Sequence, residues 1–539
     1  MGYNETYQKD GDAGFIGLNS RDNPSSLPQG IVSESKNYRF DRGVASARKG
    51  LQRKTSGALV GKTVYGTCTY IDSTGQEIIV VVTGSALYHY NPQAETLSLA
   101  VNFPAGETIT TSDGCDVIQA IDKVFITRGY NKRPLIWDMA SSITVIPSGT
   151  STGHEFPNCS QLMYYGNRLI AQGKYHSDTN TNRNRDTVGV SNYLDYEHWD
   201  ILDSFTFNNG ANDQVVAIAP WTLNEFIVFM RHSIFYVNTG VGRYVTGDAL
   251  SNDSFIKTLV SDIGCIAKRS VVQAGGGVIF LSDNGVYAMN PSQVGSNESM
   301  RLLTMEQPLS APIDDVIKRI NKTYVHRAVG VYWNNRYYLA IPVDGSDKNN
   351  AVIIYNFILK SWESVDTFPD GIDVFNFIIA KKDDERRLYF LDTDQGIFLT
   401  EELDYDEYGA ELGTPVLPAY LPFVLGEHKF QSNLIASSLT TRRYIFNTFN
   451  DKRFSGTEID LLFQAGSALD TYAIIANEDS SVLVDSYGSP SDNDETRRTP
   501  IRKVGTGIQL KFDAKSLRPY IRSAFIYGTT KGKNIQSKK

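Results

Sequence analysis

Between residues 60 and 401 short apolar runs alternate with polar turns, and the runs come in pairs. Residues 77–82 (EIIVVV) lead to 86–91 (ALYHYN), 123–127 (KVFIT) to 135–138 (LIWD), and 225–230 (EFIVFM) to 233–238 (SIFYVN). The pattern returns at 277–282 with 285–290, at 336–341 with 351–356, and at 387–391 with 396–399; residues 167–171 and 187–191 make a further pair. Runs rich in Val, Ile, Tyr and Phe, bounded by Gly, Asn and Asp, predict strands. Each pair predicts a hairpin or meander that cannot bury both faces alone. About seven such units, spaced roughly 40–70 residues apart, predict an all-β chain built on an irregular β-propeller of about six to eight blades.

Two stretches break the pattern. From Ser310 to Asn321, Ile313, Val316, Ile317 and Ile320 fall on one helical stripe, with Asp314 and Asp315 in the first turn and Lys318 and Arg319 in the last. This predicts a short helix in an insertion at about 305–322, with Ser310 as N-cap and the Ile/Val face packed on the β domain. Residues 401–411 hold six acids and no base, then lead into Gly413, Pro415, Pro418 and Pro422, which marks a domain boundary. Beyond it, runs at 456–463, 472–476, 481–484, 507–512 and 522–527 predict a smaller C-terminal β-sandwich. The expected division is an extended N-terminal arm with the first strands over 1–55, a propeller over 56–401, and a sandwich with a basic end over 402–539.

Composition narrows the class. The 539 residues are 41% hydrophobic and 21% charged, with 30 Tyr, 26 Phe and 44 Gly, a soluble globular balance leaning towards strands and tight turns. No apolar run approaches the ~20 residues that span a bilayer, and the start lacks the basic and apolar regions of a secretory signal, so cytoplasmic synthesis and assembly are expected. Cys68, Cys115, Cys159 and Cys265 form no C-x-x-C pair and read as unpaired thiols. From Glu495 to Lys539 twelve Lys or Arg stand against two acids, so a basic end of +10 follows a body of −18. Such an end suits solvated strand faces, an acidic partner or nucleic acid.

Several catalytic motifs nearly match and fail on context. Residues 57–63 (GALVGKT) have three residues between the glycines where a phosphate loop needs four, and a strand follows where a helix is required. Residues 149–153 (GTSTG) before His154 lack the strand and helix of a nucleophile elbow. His154-Glu155 has no second His of a zincin helix, and 401–411 lacks the spaced ligands of an EF-hand. Asp283-Asn284-Gly285 and Asp392-Thr393-Asp394-Gln395-Gly396 suit hairpin turns that need left-handed backbone. Residues 181–186 (TNRNRD) read as a polar loop without the aromatics of a single-strand binder. No catalytic residue, cofactor or metal site is expected.

The opening segment carries the functional signal. Residues 17–30 (GLNSRDNPSSLPQG), with Asn37, Gly43 and Arg48-Lys49-Gly50, cannot form a helix, because Pro24 and Pro28 remove donors and the glycines relax the backbone. The segment reads as a bent arm lying across a neighbouring domain or subunit, or tying down the terminus on its own domain. It resembles the N-terminal pattern of tail nozzle (tail tube or hub) proteins of short-tailed bacteriophages. The likeness continues at 327–332 (RAVGVY), 337–342 (YYLAIP), 354–356 (IYN) and 361–363 (SWE), with Asn356 where many relatives carry Asp, and is weaker over the last ~140 residues. The resemblance implies a structural virion protein in the phage tail, not an enzyme, that forms a sixfold ring below the head-to-tail adaptor. Fibre or tailspike proteins would be further partners, and double-stranded DNA would leave through the bore past acidic loops. Arg21, Asp22, Arg48 and Lys49 are the candidate assembly contacts. The alternative is a glycan-binding or glycan-hydrolysing propeller, since fold does not fix function.

Overall fold

The strand Glu77–Thr83 is buried at every position, and its side chains divide by parity. Ile78, Val80 and Val82 pack into one apolar cluster, while Ile79 and Val81 pack into another on the opposite face. A sheet covered on both faces calls for such continuous apolar runs. The computed structural model describes residues 7–55, 59, 61–110, 115–146, 156–174, 183–207, 213–221, 225–239, 255–260, 262–274, 276–289, 307–416, 428–476 and 481–530.

Among these residues seven small antiparallel sheets follow one another. Blade 1 comprises Val64–Ile71, Glu77–Thr83, Ala86–Asn91 and Thr96–Asn102; blade 2 comprises Val117–Ala120, Lys123–Ile126, Leu135–Trp137 and Thr144–Val145. Blade 3 holds Asn158–Tyr165, Arg168–Lys174, Thr187–Ser191 and Trp199–Thr206, and blade 4 holds Val215–Pro220, Glu225–Met230, Ile234–Asn238 and Phe255–Val260. Blade 5 shows Val272–Ala274, Gly277–Ser282 and Gly285–Met289, and blade 6 shows Val329–Trp333, Arg336–Ile341, Ala351–Asn356 and Ser361–Thr367. Blade 7 consists of Val374–Lys382, Glu385–Asp392, Gly396–Leu403 and, from the other end of the chain, Gly50–Arg53. The first strand of each blade touches the first strand of the next, and blade 7 returns to blade 1. The ring is therefore closed, and among the described residues it is a β-propeller of seven blades.

Each gap between neighbouring blades is filled by its own apolar cluster. Full burial of each Val, Leu, Ile or Phe in these clusters is worth about 1.5–3 kcal/mol. The gap between blades 5 and 6 differs from the others, because its cluster runs on without a break through Trp362, Phe15 and Leu18 into the core of a second domain.

That second domain is a β-sandwich, but its strands are not all C-terminal. In one sheet Asn493–Gly505, Lys452–Phe463 and Tyr520–Thr530 continue into Val44–Ala47 and Tyr38–Asp41, with Tyr7–Asp12 also along Tyr520–Thr530. In the other, Ser481–Gly488, Ala468–Ile475, Ile508–Ser516 and Ser437–Thr440 meet Glu34–Lys36, which also pairs with the outer strand of blade 6. The described part of the expected arm and first strands, residues 7–55, supplies strands to both sandwich sheets and the closing strand of the propeller. The last strand of blade 7 runs from Gly396 to Leu403.

The insertion is helical as its stripe predicts, with a 3-10 turn Ala311–Ile313 running into the α-helix Asp314–Lys318 and Ile313, Val316, Ile317 and Ile320 buried. Ser310 does not cap it; its hydroxyl accepts the amide of Val286 at 3.0 Å instead. The segment 181–186, read as a loop, ends in a helical turn, Arg183–Asp186. Gly57, Ala58 and Val60 of the phosphate-loop lookalike lie outside the described residues, and a strand begins at Val64, directly after Thr63. Residues 149–155, with the elbow and zincin lookalikes, also lie outside the described residues. No disulfide joins the four cysteines; Cys115, Cys159 and Cys265 are buried and Cys68 is half-buried.

Candidate functional site

The arm pattern gathers at the junction of blade 6, blade 7 and the sandwich. Asn37 adopts a left-handed backbone (φ 58°), which turns the chain from one sandwich sheet to the other. Its amide nitrogen donates to the Ala436 carbonyl at 2.9 Å, while its Oδ1 accepts from the Thr367 amide at 2.9 Å and from Arg48 Nε at 3.0 Å. Arg48 then forks onto Asp406, at 2.8 and 2.6 Å, and both side chains are 2% exposed. Burial lowers the guanidinium pKa, but the Asp406 carboxylate more than offsets this and the net direction is upward. Asp406 Oδ1 also accepts the amide of Leu51, in the closing strand of the propeller.

Further buried pairs extend this lattice. Arg39 bridges Asp366 and Glu401, each at 2.6 Å, and Arg336 reaches Glu363 at 2.6 Å. On the far side of the arm Asp12 accepts from Arg442 Nε at 3.0 Å, from the Tyr444 hydroxyl at 2.8 Å and from the amide of Gly30 at 2.9 Å. Glycine positions match close approaches: a Cβ on Gly50 would stand 1.8 Å from the Tyr405 carbonyl oxygen, and one on Gly17 would stand 2.7 Å from Ser361. Arg48, expected among the assembly contacts, is therefore corrected to an internal clasp, because its guanidinium is enclosed by partners from its own chain.

The acidic segment 401–411 belongs to the same lattice. Glu401 holds Arg39, Glu402 accepts from Arg387 at 3.1 Å, Asp406 holds Arg48, and Glu407 accepts the Arg53 amide at 3.2 Å. Among the described residues no group of three His, Cys, Asp or Glu side chains is arranged to hold a metal ion. The turn at 392–396 is built as its residues predict: Asp392 Oδ1 accepts the amides of Asp394 and Gln395 at 2.8 and 2.7 Å, and Gly396 has φ 101°.

Arg21, Asp22 and Lys49 face outward. The elbow at 19–26 is rigidly held. Asn19 Oδ1 accepts the Asp22 amide at 3.0 Å, Pro312 O accepts the amides of Ser20 and Arg21, Ser20 Oγ donates to Asp315 at 2.5 Å, and the Arg443 amide donates to Pro24 O. Beside it lies a groove of about 1060 Å³, lined by Arg21, Asp22, Glu34, Lys36, Asp315 and Arg319. It shares Lys36 and Arg319 with a second groove of about 360 Å³ that adds Asp344, Lys348 and Asp370. The surface is rigid, concave and of mixed charge, a shape that receives a polar chain segment rather than an apolar helix. Lys49 does not line these grooves. The sequence reading missed Lys36 and Arg319; the only signal was their position, one in a polar strand and one at the end of the insertion helix.

No family model matches the chain, and no curated protein matches it. Among solved structures, a chain of "Crystal Structure of Mitotic Checkpoint Complex" matches over 66% of this chain and 94% of its own length, with 11% identity and a TM-score of 0.38. A chain of "Crystal structure of BBS1N in complex with ARL6DN, soaked with mercury" matches over 66% and 98%, with 12% identity and the same TM-score of 0.38. At that score neither likeness bears on what the chain does.

Proposed function

We propose that the chain is a structural protein of a short phage tail, a nozzle subunit that forms a ring below the head-to-tail adaptor and conducts the genome outward. The observation that carries this reading is the residue pattern of the arm, from Gly17-Leu18-Asn19 through Arg21-Asp22 to Arg48-Lys49-Gly50. Two physical features support it. The arm, the closing blade and the sandwich are locked by buried ion pairs, so the subunit is stiff enough to transmit load across a ring. The grooved elbow at Arg21 and Asp22 offers a preformed polar surface for a neighbouring subunit or the adaptor. In this reading Arg48 clasps the arm to Asp406 from within, and Arg21, Asp22 and Lys49 make the contacts. The acidic body keeps exiting DNA from adhering.

The test is assembly of the purified chain with Arg21→Glu and Asp22→Lys, followed by mass photometry alone and with adaptor. Reversed charge should abolish or strongly weaken ring formation or adaptor attachment while leaving the melting temperature unchanged. Unchanged assembly would remove the elbow from the account. A monomer that cleaves a host-surface polysaccharide would replace the reading with a glycan-active propeller.

A further inference from the structure

One mouth of the propeller channel opens into a recess of about 710 Å³. Blades 1, 3, 4 and 7 line it, with Tyr65 and Phe375 at the starts of blades 1 and 7, together with the segments that lead into blades 2, 5 and 6. The recess is strongly basic. Arg231, Lys268, Arg269, Lys322 and Arg327 line it with His326, and among the described residues no carboxylate does. The nearest balancing acids stand behind the wall: Asp116 lies 3.6 Å from Lys268, and Asp373 pairs with Arg327.

Arg269 is the centre of the arrangement. Its guanidinium lies over the Phe375 ring at 4.6 Å and donates only to main-chain carbonyls, Tyr65 O at 3.0 Å and Phe375 O at 3.5 Å. It forms no ion pair among the described residues, and neither does Arg231. Burial holds the Arg269 pKa below its ordinary value, although Asp116 partly opposes the shift. A half-buried guanidinium without a carboxylate is costly unless an anion completes it. Concave walls of low dielectric concentrate the field of the surrounding cations into the recess. Its volume falls within the range of small-molecule sites, roughly 300–1,000 Å³.

We propose that this recess binds a small multivalent oxyanion, with Arg269 as its central ligand and Arg231, Lys268 and Lys322 around it. The stacked, planar guanidinium presents paired N–H groups that suit phosphoryl or carboxylate oxygens, while the lysines supply point charge. The site is independent of the ring-forming role, since its ligands come from one propeller.

The experiment is isothermal titration of the full-length chain with inorganic tripolyphosphate, with citrate as the carboxylate arm, at matched ionic strength. Saturable one-to-one binding is expected, weakened roughly tenfold or more by Arg269→Gln. The exposed pair Arg231→Ala with Lys322→Ala should weaken it as well, and serves if the first variant does not fold. Tighter binding of tripolyphosphate assigns a phosphorylated ligand; tighter binding of citrate assigns a polycarboxylate. Absence of saturable binding to either, or affinity unchanged in these variants, overturns the proposal.

Discussion

At the scale of single residues, Arg48 shows how far a motif can be read. Its presence in the pattern Arg-Lys-Gly flagged it, but its partner Asp406 is 358 positions away, and no local spacing reveals that pairing. Arg48→Met should leave Asp406 buried and uncompensated, costing about 3–5 kcal/mol, and Asp406→Leu in the same chain should restore much of the loss. Urea unfolding of the two single variants and the double variant checks this through the coupling term. Glu407 provides a pH test. Burial raises its pKa to about 6, against the lowering effects of the Arg53 amide and Lys54. The folded chain therefore binds this proton more tightly than the unfolded chain, whose Glu titrates near 4.5. The contribution of Glu407 to stability is full below about 4.5 and is lost as pH rises through about 6. Glu407→Gln should accordingly gain about 1–2 kcal/mol relative to the parent between pH 5 and pH 7, measured by unfolding midpoints at the two pH values.

At the scale of elements, the blades were legible because their middle strands are covered on both faces and so carry unbroken apolar runs such as 77–83 and 225–230. The insertion helix was legible for the same kind of reason, a buried stripe at helical spacing. The arm strands were not. Glu34–Lys36 and Ser437–Thr440 are short and polar, and their register is set by partners roughly 400 positions away rather than by any local periodicity. The candidate elbow was legible only through the resemblance, and the grooves beside it not at all, because they form where three distant segments meet. Closure of blade 7 by Gly50–Arg53 predicts a sharp sensitivity at Gly50, where a Cβ would collide with the Tyr405 carbonyl. Gly50→Ala should lower the melting temperature by several degrees and expose the N-terminal segment to limited proteolysis. Gly84→Ala, whose nearest contact would be an ordinary 3.4 Å, should do neither.

At the scale of the whole molecule, residues 7–55 act as the seam that joins propeller and sandwich. The sheet of blade 6 continues through Glu34–Lys36 into the sandwich, and the core between blades 5 and 6 runs into the same domain. The basic end is partly engaged within the chain: Arg497 pairs with Asp485, Arg498 with Glu458, and Arg522 with Asp460, while residues 531–539 lie outside the described residues. Less of that charge is therefore available to a partner than the count of +10 suggests. Lys49 and the elbow at Arg21 and Asp22 remain as outward-facing candidates for assembly. The most direct measurement is negative-stain electron microscopy of the purified chain, alone and mixed with the head-to-tail adaptor that the proposed function requires. A nozzle subunit should form rings with a central bore, sixfold by the family resemblance, alone or on the adaptor; monodisperse single subunits in both samples would contradict the proposed function.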